Sequence, residues 1–153
     1  MRVSSLLLAA AILAALVACG TANDAPRVEA VQPTFSSLRA NVFGTGTCTT
    51  CHAPGGFAGF PNDVAGGLDF SAPAAAVYAS LVNAPAQGPG AATAATRVVP
   101  RDPDHSLLFL KVTSTAVNQP GFGGGMPLGA GGSLPQATKD AIRAWIAAGA
   151  PND

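Results

Sequence analysis

Cys48-Thr49-Thr50-Cys51-His52 is the stretch around which the chain is organised. Two thiols three positions apart, with a histidine directly after the second, form the attachment signal of a c-type haem. Chemistry accounts for the spacing. Sulfurs at that separation can form thioethers to the two vinyl groups on one edge of a porphyrin. The next residue then projects beneath the ring, where an imidazole can take the proximal position on iron. Thr49 and Thr50 are small enough to let the loop lie against the macrocycle. A disulfide or half of a zinc site would use the same residues. A zinc site wants more ligands, however, and beyond the motif the chain offers only Cys19 and His105. A thioredoxin-like redox pair wants a βαβ pattern around it, and the sequence has none. The motif predicts one covalent haem c held by Cys48, Cys51 and His52.

The second iron ligand decides the chemistry. Iron bound by His52 alone would be five-coordinate, suited to gases or peroxide; bound also by a thioether it is a saturated electron carrier with a raised potential. Once Met1 leaves with the amino-terminal segment described below, Met126 is the only thioether in the chain. It lies in Gly123-Gly124-Gly125-Met126-Pro127, a loop rather than a helix stripe. Glycines there let the backbone approach the haem, and proline needs no partner for an N–H. Met126 is the expected distal ligand. Its competitor, His105, follows a predicted Asp102 cap and reads as an exposed residue at a helix start; as a ligand it would give a bis-histidine site of lower potential. Arg97 and Arg101 are candidate propionate contacts, because guanidinium forks match carboxylates, although both could equally be solvated surface residues. Trp145 could offer its indole N–H to a propionate, but packing between helices is its expected role.

Composition bounds the partners. The formal net charge is zero, which removes any electrostatic argument for nucleic acid or an anionic lipid surface. Only 10% of residues are charged, and 18 Gly with 13 Pro predict short helices joined by long loops. Such a core is reasonable where a cofactor supplies much of the apolar volume. A length of 153 residues allows one domain with accessory segments.

Met1-Arg2 followed by an apolar run from Leu6 to Ala18 reads as a secretory signal, too short for a comfortable membrane span. The run ends in Leu16-Val17-Ala18-Cys19, which resembles the lipobox of a bacterial lipoprotein. That resemblance implies removal of residues 1–18 and lipidation of Cys19 on its sulfur and new amino group; the alternative is an ordinary signal peptide with a chance cysteine. Several acyl chains on one residue anchor stably where one binds only marginally. With Cys19 lipidated and Cys48 and Cys51 on haem, no thiol remains for a disulfide. Gly20, rather than a retention-type aspartate, leans the anchor towards an outer membrane by analogy with enteric bacteria.

Residues 19–33 are polar and aperiodic, a flexible tether from the anchor. A folded domain is expected over 34–153. Thr34 to Phe43 predicts a short helix with Phe35, Leu38 and Val42 on one face, ended by Gly44 and Gly46. Phe57 and Phe60 follow the haem motif in a loop, available to cover one haem face. Ser71 is placed to cap a helix from about 72 to 82, with Pro73 in its first turn and Ala74, Val77, Tyr78 and Leu81 as its stripe. Residues 83–96 read as loop, and Arg97 to Arg101 as an extended lead into the next helix. Asp102-Pro103 opens that helix, which runs to about Val112 with Leu107, Leu108 and Leu110 partly inward and Lys111 favouring its carboxyl end. Pro135 to Ala148 is the best helical pattern, with Ile142, Trp145 and Ile146 on one face and a stop at Gly149 and Pro151.

The chain resembles small monohaem cytochromes c, and more narrowly the cytochrome c-like domains of the Planctomycete and Myxobacterial type. The matching segments are Cys48 to His52, Gly66-Gly67-Leu68-Asp69, Val98 through Leu108, Met126-Pro127, and Arg143 through Pro151. The resemblance implies an all-α fold of about four short helices with Gly/Pro-rich loops around one haem, and His52 and Met126 as axial ligands. Two positions depart from it: Arg101 where glycine is usual, and Pro135 where a capping serine is usual. The expectation is an electron carrier, not an enzyme, exported and anchored on the periplasmic side of a membrane. It would work with redox partner proteins, free-standing or as a subunit of a redox enzyme. No acid–base or nucleophile constellation and no small-molecule substrate are predicted. A haem enzyme or gas sensor with an open distal site, and a binding lipoprotein without haem, are the rival readings.

Overall fold

Phe35, Leu38 and Val42 fall at helical spacing, and the chain folds there as that spacing predicts. The computed structural model describes residues 30–56, 67–115, 120–128 and 134–153. The expected signal peptide, Cys19, most of the tether, and Phe57 and Phe60 lie outside these residues.

Helix α1 (Phe35–Leu38) is capped by the Thr34 hydroxyl, which accepts from the Ser37 N–H at 3.2 Å, and it widens directly into a π-helical turn, Arg39–Phe43. The extra residue per turn lets both Val42 and Phe43 be buried. Gly44 closes the turn with its N–H on the Arg39 carbonyl at 2.8 Å; a Cβ there would overlap that carbonyl and the Arg39 guanidinium. Arg39 in turn donates to the Ala72 carbonyl at 2.7 Å, binding the first helix to the segment before α3. One turn of helix, α2 (Gly46–Thr49), then carries Cys48.

Helix α3 (Ala74–Leu81) buries Val77 and Leu81. Its boundary residue is Pro73, and Ser71 does not cap it as expected. Ser71 is turned back onto Asp69 instead, whose Oδ1 accepts from the Ser71 N–H at 2.8 Å and its hydroxyl at 2.6 Å. An aspartate two residues upstream competes successfully for the serine by closing an Asx turn. The 83–96 stretch is less irregular than expected. It holds a 3₁₀ turn, Pro89–Ala92, and isolated bridges join Val82 to Val98 and Pro85 to Thr96.

The helix expected from Asp102 to Val112 is broken in two. A 3₁₀ turn, Pro103–His105, is capped by the Asp102 carboxylate on the His105 N–H; Ser106 is extended, and α4 (Leu107–Thr113) follows. Ser106 explains the break. Its fully buried hydroxyl accepts from the Val99 N–H at 2.8 Å and donates to the Asp102 carbonyl at 2.7 Å, so the residue serves the turn before it. Helix α5 (Gln136–Ala147) buries Ile142, Trp145 and Ile146, starts at Pro135 without a side-chain cap, and stops at Gly149, whose φ of 102° suits glycine.

The described residues thus form five α-helices, one more than expected, without a sheet. Helix α5 packs on both α1 and α4. Phe35 meets Tyr78 edge-on at 5.2 Å and lies 6.0 Å from Trp145. The Trp145 indole donates to the Pro151 carbonyl at 3.0 Å, which gives it the expected core role. The chain end closes over this cluster: Asp153 Oδ1 accepts from the Phe35 N–H at 2.7 Å, and Tyr78 donates to the Ala150 carbonyl at 2.8 Å. Val31 also packs on the core. No helix among the described residues is long and apolar enough to cross a membrane.

Candidate functional site

A cavity of about 460 Å³ opens among α2, α3 and α4, within the size range of cofactor pockets. Two separate stretches supply its chemistry. Cys48, Cys51 and His52 contribute from one, and Met126 from the other. Apolar residues from Val42 to Leu134 fill in the rest, and the polar side chains that reach it are few, chiefly Arg97, Lys111 and Gln87.

The cysteine segment is built onto the core. The Cys51 and His52 N–H groups both turn back to the Cys48 carbonyl, at 3.2 and 2.9 Å, which puts the two thiols and the ring on one short curl of chain. Phe70 then clamps that curl. Its N–H donates to the His52 carbonyl at 2.8 Å, and its ring meets the imidazole edge-on at 5.4 Å. Phe70 is itself stacked on Phe43 at 5.2 Å, and Phe43 leans on Trp145. A row of aromatic rings therefore ties the His52 ring to the centre of the fold.

Electrostatics at the motif follow from burial. Desolvation, then the nearby Cys51, push the Cys48 thiol up to about 11, so it rests protonated. A nucleophilic redox pair would need the opposite shift. Burial lowers the His52 pKa, opposed by the Leu68 backbone and assisted by Arg97. Among the described residues the imidazole Nδ1 is buried without a hydrogen-bond partner. Among the described residues no three His, Cys, Asp or Glu side chains gather as a metal site. Haem iron asks less of a chain, one or two axial ligands. The donor set fits a covalent porphyrin: two thiols three positions apart, a half-buried imidazole with a buried, unpartnered Nδ1, a thioether, and apolar walls.

The methionine segment is attached differently. The Met126 N–H donates to the Lys111 carbonyl at 2.7 Å, and the Lys111 ammonium donates to the Phe122 carbonyl and, at 3.1 Å, to that of Gly124. It also sits 4.2 Å from the centre of the Phe122 ring. Lys111 lies in the last turn of α4, as expected, and its ammonium is spent on this loop. Gly125 is required by the same contact. A Cβ at that position would overlap the Ser114 carbonyl at the end of α4, so the glycine before Met126 admits the helix end.

Of the two candidate arginines, the structure brings Arg97 to the cavity and not Arg101. Arg97 donates to the Ser80 carbonyl and lines the site, and burial lowers its pKa. Arg101 is exposed. Its N–H donates to the Ile146 carbonyl at 2.8 Å, and its side chain runs past Gly149 at the end of α5. The reason is local: the Val99–Asp102 turn puts Arg101 at φ 69°, reversing the chain after Arg97. That left-handed backbone also accounts for an expectation of glycine there. His105 is exposed and paired through Nδ1 with Asp102 at 2.8 Å, remote from any ligand role. Sequence reasoning missed Leu68, Phe70 and Lys111. An apolar pair around Asp69 was the available signal for the first two; Lys111 had none.

Comparison of the chain with family models, curated proteins and solved structures returned no match.

Proposed function

We propose that this chain is an exported, lipid-anchored monohaem c-type cytochrome of small all-α cytochrome fold that transfers electrons and is not itself an enzyme. The observation that carries the reading is the shared cavity, which Cys48, Cys51 and His52 line together with Met126 although the two segments are far apart in sequence. Export and anchoring rest on residues 1–19 alone: a signal segment and a cysteine suited to lipidation, on the periplasmic side of a membrane.

In this reading Cys48 and Cys51 would hold the cofactor through thioethers, and His52 and Met126 would supply ligands to its iron. When bound, haem c supplies a one-electron iron couple, whose potential a methionine ligand raises. The chain's own part is positional. Phe70 fixes the imidazole from behind, the apolar walls keep water from the ring, and Arg97 offers a cation to a propionate. Partners are other redox proteins, and no small-molecule substrate is required.

Absorption spectroscopy of protein matured with a cytochrome c assembly system tests this. The expected result is a covalent Soret band with a weak near-infrared sulfur-to-iron band in the oxidised form, and no immediate carbon monoxide uptake by the reduced form. Immediate, tight carbon monoxide binding would turn the reading into an enzyme or gas sensor with an open distal site. Absence of covalent haem would leave a binding lipoprotein.

A further inference from the structure

Lys111 stands in a position its sequence context does not explain. It is partly buried against the cavity, and burial lowers its pKa, which is an unusual setting for a residue of a helix's last turn. It makes no ion pair among the described residues. Its ammonium is instead spent on two backbone carbonyls of one loop, those of Phe122 and Gly124, and on the face of the Phe122 ring. Its own carbonyl accepts the Met126 N–H from the same loop. The stem passes Gly90, where a Cβ would come within 3.1 Å of the Lys111 side chain, so the ammonium is guided to this place by close packing. Gly121 and Gly123 take φ of 75° on either side of Phe122, a left-handed backbone that suits glycine, and the Thr93 hydroxyl donates to the Gly121 carbonyl at 3.0 Å.

We infer that Lys111 is the positioning residue for Met126: its side chain clamps residues 122–124 and its carbonyl holds residue 126, setting the thioether at the cavity. The inference deepens the haem reading and rests on it for the role of Met126. Charge-assisted bonds to carbonyls are roughly twice as strong as neutral ones, and here one ammonium makes two of them beside a ring. Methionine is unbranched with three rotatable bonds, so its sulfur is placed only as well as its backbone is held. The cysteine segment needs no such clamp because its rings are packed into the core.

The test is Lys111→Gln in the haem-loaded protein, with Lys111→Arg as the conservative partner. Lys111→Gln is expected to weaken the sulfur-to-iron band and to tighten apparent carbon monoxide binding by the ferrous form about tenfold, equivalent to ~1.4 kcal/mol lost from the closed arrangement. Lys111→Arg keeps a cationic donor and is expected to retain most of the band. Backbone hydrogen exchange should speed up over 120–128 and stay unchanged in α5. If Lys111→Gln does not fold, Phe122→Leu removes the ring alone and is expected to shift carbon monoxide binding the same way, by about threefold. A folded Lys111→Gln with wild-type band, ligand binding and exchange overturns the clamp, as does an unaltered Phe122→Leu. Wild-type protein without the sulfur band defeats the haem reading instead. The exchange comparison over 120–128 still decides the clamp in that case, since it needs no haem.

Discussion

The two walls of the cavity are built by different physics. The cysteine wall is an extension of the hydrophobic core: His52 rests on Phe70, Phe70 on Phe43, and Phe43 on Trp145. The methionine wall is a glycine-rich loop fastened to α4 by Lys111 and by a close approach to Ser114. A wall made by apolar burial gains from every neighbour and gives way only when a large side chain is lost. A wall made by a few polar contacts holds one geometry and can open without unfolding the rest. For an electron carrier the pairing is functional. In the proposed electron carrier, the cysteine wall would carry the covalent attachment and would have to stay fixed, while the methionine wall would need only to present one sulfur.

Truncation on each wall probes that difference. Phe70→Ala removes a ring that is 3% exposed and is expected to cost about 3–5 kcal/mol in denaturant unfolding. A cost under about 1 kcal/mol would mean that the cysteine wall is not part of the core. Met126→Ala shortens a half-buried side chain and is expected to cost about 1–2 kcal/mol, below the range for fully buried methionine. Its spectral effect runs the other way: the sulfur-to-iron band disappears and the potential falls. An unchanged band and potential would remove Met126 from the iron. The smallest change lies away from both walls. Arg101→Gly relieves a left-handed backbone at φ 69° and is expected to stabilise the protein by about 1 kcal/mol, read as a higher unfolding midpoint, with no spectral change. Destabilisation would show that the Arg101 side chain, not the strain, governs that turn.

The helices could be read from the chain wherever their faces were simple. Phe35, Leu38 and Val42 predicted α1 and the helical turn that continues it, and Ile142, Trp145 and Ile146 predicted α5, because apolar residues three or four apart share a face whatever lies beyond them. The same reasoning failed at Ser106, whose hydroxyl is claimed by backbone groups four and seven residues earlier, and at Ser71, claimed by Asp69. Polar side chains choose among competing backbone partners, and periodicity carries no trace of that choice. Arg97 and Arg101 were indistinguishable by type; one turn of backbone between them sends only the first to the cavity.

The chain itself determined the spacing of Cys48, Cys51 and His52, the identity of the one loop thioether and the apolar amino-terminal run that ends at Cys19. These depend on residue type and on spacing within a turn or two, which covalent geometry transmits directly. Tertiary structure alone decided that Met126 shares a cavity with His52, that Phe70 backs the imidazole, and that Lys111 serves a loop eleven and more residues away. Those contacts depend on how helices pack and on where a missing side chain, as at Gly125, allows two backbones to touch. No local spacing encodes that.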